Sequence, residues 1–143
     1  MEKLAQVRQF VENLNMVDAN QIEVWPEDTS YRVVGKPKGQ ALVMLQCDYT
    51  IILDIQGWPH DRIPVGVLVA NIAGLVVDMG DLEDSSGNNR DITASFDVLD
   101  DGKANVEIPL EVSEALEVTE HADGNIAAFG KTWRLTATPM NRK

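Results

Sequence analysis

Very little in this chain could anchor a metal or a covalent step. Its 143 residues contain one cysteine, Cys47, and two histidines, His60 and His121. That scarcity excludes an internal disulfide framework and a cysteine-based zinc cluster, and it suits a reducing compartment. Basic residues are also sparse, 12 against 23 acidic, for a formal net charge of −11. Such a balance argues against a protein that grips the phosphate backbone of nucleic acid. No apolar run approaches the roughly 20 residues needed to span a bilayer. The N-terminal residues Met1 to Val7 lack the charged-then-apolar layout of a secretory signal. The expectation is a soluble protein made in a cytoplasm, with no membrane contact.

What is present fits one globular domain over residues 1–143. Apolar residues make up 44% of the chain, with 6 prolines and 10 glycines. This lies outside the disordered and collagenous classes, and the length is enough for one sizeable core but not two.

Enzyme signatures are missing. The sequence contains no HExxH, GxSxG, GxxxxGK[ST] or GxGxxG. His60 and His121 lie sixty-one residues apart, and Cys47 sits inside an alternating apolar stretch, where it reads as a small buried hydrophobe rather than a thiolate nucleophile. An EF-hand loop centred on Gly102 would need oxygen ligands where Leu99 and Ile108 stand, so calcium is excluded there. Asp81, Glu83 and Asp84 have the composition of a solvated acidic loop. No catalytic residue, metal ligand or cofactor is assigned.

The acidity is local. Residues 78–123 hold fourteen acidic residues against Arg90 and Lys103, a net −12, whereas the remainder carries +1. The fold should therefore present a lopsided field.

Leu4, Val7, Phe10, Val11 and Leu14 recur at three- and four-residue spacing, which predicts an amphipathic helix ending near Asn15. Ile22, Val24, Tyr31 and Val33, interrupted by Pro26, predict a short strand or two at a sheet edge. Beyond the Gly35–Gly39 turn, the odd positions Ala41 to Ile55 are apolar, predicting one long strand that overhangs its neighbours or bends at a bulge. Asp61 as cap and Pro64 in the first turn predict a helix from Arg62 to about Val77. That helix is apolar nearly all round, so part of it should meet another protein chain, with Val65, Val69, Ile72 and Val76 as the candidate interface. A surface loop follows, then strands on either side of Asp101-Gly102, a strong hairpin signal. Later turns at Asp123-Gly124 and Phe129-Gly130-Lys131 precede a last strand through Trp133, Leu135 and Ala137. The layout is α+β, a largely antiparallel sheet with the N-terminal amphipathic helix and the central apolar helix on one face.

The order of these segments carries a resemblance. A Tyr49-Thr-Ile-Ile-Leu-Asp-Ile55 strand, a Trp58-Pro-His60 turn, the apolar helix, the acidic loop, the run from Phe96 to Val112 and the closing Gly130-Lys-Thr-Trp-Arg-Leu135 together resemble the tail completion protein family of contractile-tailed bacteriophages, the R-protein type. The resemblance spans about two thirds of the chain and rests on order and length, not on a chemical motif. It implies a structural virion protein of the tail, assembled in the host cytoplasm. Such a protein forms a ring, typically a hexamer, on the head-proximal end of the tail tube. There it ends tube and sheath growth and offers the docking surface for the head or neck. Its partners would be copies of itself, tube, sheath and neck or connector proteins, and DNA would pass without specific binding. Asp81, Glu83 and Asp84, with Glu107, Glu111 and Glu117, are then the candidates for an acidic lumen. Two other classes remain open: a small cytoplasmic adaptor that takes a peptide along the edge of strand 41–55, and a metal-assisted enzyme built on converging carboxylates.

Overall fold

The structure, a computed structural model, describes residues 1–84 and 86–136. The order is α1 (Glu2–Asn13), a 3-10 turn (Ala19–Gln21), β1 (Ile22–Lys38), β2 (Ala41–Trp58), α2 (Val65–Asp78), β3 (Ser95–Val98), β4 (Ala104–Glu120), β5 (Ile126–Ala128) and β6 (Lys131–Leu135). The strands hydrogen-bond in the order β1-β2-β4-β6-β5, with β3 on β4. Two helices with an antiparallel sheet make the expected α+β fold. The chain clusters into two compact units, residues 1–29 with 49–112, and residues 30–48 with the chain from 113 onward.

The first unit holds most of the interior. The helical spacing read from the N-terminus turns Val7 and Val11 inward, and α2 turns in Leu68, Ile72 and Val76. Tyr49, Ile51, Leu53 and Ile55 bury the odd positions of β2, and Ala104, Val106, Ile108, Leu110 and Val112 bury the even positions of β4, as two-residue periodicity requires of a sheet covered on one face.

The ends of α2 are set by two local devices. The helix starts at Val65, not Arg62, and Asp61 is not its cap. Trp58 donates its indole N–H to the carbonyl of Ile63 at 2.9 Å, and the amides of Arg62 and Ile63 both donate to Pro59 O. Those bonds spend the segment in a turn, and Pro64 further disfavours helical geometry at Ile63. At the other end, Gly80 takes φ 81° and donates to Val77 O, while Asp81 N–H donates to Val76 O. This is a Schellman motif, which a left-handed glycine permits without a Cβ clash.

The Asp-Gly hairpin forms as read, with Val98 opposite Ala104 and Ser95 opposite Glu107. Asp100 Oδ1 accepts the amides of Gly102 and Lys103, each at 2.8 Å. These bonds, Gly102 first, hold the Asp100 carboxyl below its ordinary range.

The second unit has its own small cluster of Leu42, Val118 and Trp133, with Met44, Ile126 and Ala128 against it. β5, which the sequence pattern does not announce, pairs with β6 from Ile126↔Trp133 to Ala128↔Lys131. Trp133 Nε1 donates to Ala128 O at 2.9 Å. Ala137, expected in the last strand, lies outside the described residues.

Two strand expectations need correction. The weak strand pair around Pro26 is one continuous strand of 17 residues. It tolerates Pro26 and Pro37 because β1 is terminal in the sheet order, where a missing N–H on the open side costs no ladder bond. Along β2 the odd-position stripe holds from Cys47 to Ile55 but not before it. Leu42 is the buried residue of the first part, and its separation of five from Cys47 breaks a strict period of two.

Candidate interaction surface

The chemically versatile side chains are each committed to a local structural task. Cys47 is buried, and burial pushes its thiol above the ordinary range, with Glu114 nearby acting in the same direction. His60 Nε2 lies 2.9 Å from Asp100 O, with its ring edge-on to Phe96 at 5.7 Å. His121 Nδ1 accepts the amide of Asp123 at 3.1 Å. Among the described residues, no three His, Cys, Asp or Glu side chains are grouped to hold a metal. Also among them, no helix is long and apolar enough to cross a membrane.

The candidate interface residues on α2 divide. Ile72 and Val76 belong to the first unit's interior, while Val65 and Val69 are half-buried. The apolar residues that α2 leaves outward are Val67 and Val77, in a stripe with Gly66, Ala70 and Gly74. The helix is apolar all round because one side, with Leu68, Ile72 and Val76, is buried and the other carries small or uncharged residues. Periodicity alone could not tell the two sides apart.

The six acidic candidates also divide. Asp81 is only 3% exposed and lies 2.6 Å from Lys3 Nζ, so it contributes to holding α1 against the end of α2 and little to any outer field. Glu107, Glu111 and Glu117 share the odd positions of β4, opposite the buried even positions. Glu111 lies 3.7 Å from Arg90 and Glu117 lies 2.9 Å from Lys38. Glu83 and Asp84 are exposed, on a loop closed by the Glu83↔Asn89 bridge and by Asp84 Oδ1 accepting the amides of Ser86 and Asn88. A cleft of ≈ 620 Å³ gathers Asp28, Asp84, Asp91 and Glu111 with Arg90, and has Val77 and Leu82 on its wall. One cation among four carboxylates makes it a negative surface groove.

The strand edge available to a partner is not the one expected. β2 lies between β1 and β4, so both sides of strand 41–55 are occupied. The open edges, among the described residues, belong to β1, β3 and β5. Along β1 the distal part is exposed on both faces, with Tyr31 58% and Val33 81% accessible. The sheet-edge position read from Pro26 holds, since β1 is terminal in the sheet order, but the sequence reading offered strand 41–55 and not this run as the edge for a partner.

Comparison with curated proteins and with solved structures returns no significant match. A family model does match, that of the P2 phage tail completion protein R (GpR), over residues 1–137. A match over nearly the whole chain takes in the helices, the acidic loop and both hairpins just described, and the chain belongs to this family of structural phage tail completion proteins.

Proposed function

We propose that the protein caps the head-proximal end of a phage tail tube as a ring of six copies. In this role it stops tube and sheath growth and offers the surface on which head or neck docks, assembling in the host cytoplasm. The observation that carries the reading is the family match over residues 1–137. The surfaces fit it. A ring needs two different patches on each copy, and the chain leaves apolar residues outward on α2, on distal β1 and on the β3 hairpin. A channel for DNA should repel phosphate. Exposed Glu83, Asp84 and Glu107, with the partly neutralised Glu111 and Glu117, are suited to line one, and buried Asp81 is not.

The test is to remove the gene from a phage that carries it and to image the tails. Loss should give tubes and sheaths of irregular length without joined heads, and supply of the protein in trans should restore both. Tails of normal length with heads attached in its absence would overturn the reading.

A further inference from the structure

Two of the open strand edges are opposite in character. From Ser30 to Gln40 the chain carries Arg32, Lys36 and Lys38 and no acidic residue, around exposed Tyr31, Val33 and Val34. From Asp91 to Asp101 it carries Asp91, Asp97, Asp100 and Asp101 and no basic residue, around exposed Phe96, Val98 and Leu99. A long exposed apolar edge is ordinarily blunted, because unpaired N–H and C=O groups recruit another strand. Here one edge is positive and the other negative, both rich in residues that favour strands.

Resting on the ring reading above, we propose that a second copy of this chain is the occupant. The β3 edge of one copy pairs antiparallel with the free edge of distal β1 on the next, a head-to-tail contact that leaves the pair one free edge of each kind for further neighbours. The side chains select the register. Placing Arg32 opposite Asp97 sets Tyr31 against Val98 and Val33 against Phe96. Opposite charges and apolar pairs directly across a ladder are the stabilising arrangement. A one-residue slip would put Arg32 against an apolar side chain. Two different patches joined in this way form a heterologous interface, the kind that closes into rings.

The experiment uses the full chain in a Cys47→Ser background, which leaves one engineered thiol per molecule. Val33→Cys and Phe96→Cys chains are purified separately, mixed at high concentration and oxidised, and disulfides are identified by mass spectrometry. Val33→Cys mixed with Gln6→Cys serves as the background pair. The mixed 33–96 disulfide should exceed that background several-fold. Arg32→Asp or Asp97→Arg alone should cut it by about five- to tenfold, and Arg32→Asp with Asp97→Arg in the same chain should restore it. Circular dichroism checks that each variant folds. Background-level linking, a predominance of 33–33 disulfides, or failure of the double swap to rescue would overturn the edge pairing. So would capture of position 33 by a tube or sheath protein instead of a second copy. Each of these leaves the tail-length experiment above to stand or fall separately.

Discussion

Phe129 is an unusual choice for its position. It takes φ 53° and is followed by Gly130 at φ 71°, so the β5–β6 connection needs two left-handed residues, a turn that Asn-Gly serves best. A bulky side chain there is strained, and the ring is 69% exposed, with an edge-on contact to Trp133 at 6.5 Å. Phe129→Asn should therefore raise stability by about 0.5–1 kcal/mol in thermal unfolding; a lower melting temperature would mean that the Trp133 contact outweighs the strain. Gly124 is the opposite case, since a Cβ there would collide with the backbone of Trp133. Gly124→Ala should cost about 1–3 kcal/mol, visible as lost amide protection in β5 and β6 before β3. Cys47 adds a pH signature. Its folded-state pKa is raised, so the stability it contributes is complete below the unfolded thiol value of about 8.5. That contribution is lost as pH rises through the folded value. Cys47→Ala should flatten the alkaline limb of the stability curve, and wild type should react with thiol reagents far faster in denaturant than when folded.

Among the elements, the tie between α1 and the end of α2 is the most exposed to test. Lys3 and Asp81 meet at 2.6 Å with side chains 18% and 4% accessible, and loss of one partner strands a charge in the interior. Lys3→Met should destabilise by about 3 kcal/mol in denaturant titration, and Lys3→Met with Asp81→Leu should recover part of that loss. A double variant no better than the single one would show that the remaining bonds of Asp81 dominate. The hairpin from Ser95 to Glu107 responds at acid pH. Asp100 is lowered by its backbone bonds, so its contribution is present above the unfolded carboxyl value of about 3.9 and is lost as pH falls through the folded value. Element existence was readable where pattern and turn chemistry agreed. α1 and the Asp101-Gly102 hairpin are the clear examples. The start of α2 was not readable, because the bond from Trp58 to Ile63 belongs to packing. Nor was β5, whose three residues are too short to carry a period.

At the scale of the whole molecule, charge is unevenly spent. If the acidic face lines a passage for DNA, Glu83→Lys, Asp84→Lys and Glu107→Lys together should leave tail length and head joining intact while lowering DNA delivery per particle. Unchanged delivery would place that face elsewhere. Composition and segment order by themselves determined the α+β class, the acidic third of the chain and the likeness to the tail completion family. Those follow from local period, turn residues and counting. Only tertiary structure decided that Ile72, Val76 and Asp81 are spent inside, that strand 41–55 is enclosed and that distal β1 is open. Which side of an apolar helix or strand meets water depends on the elements packed against it, and no periodicity records its neighbours.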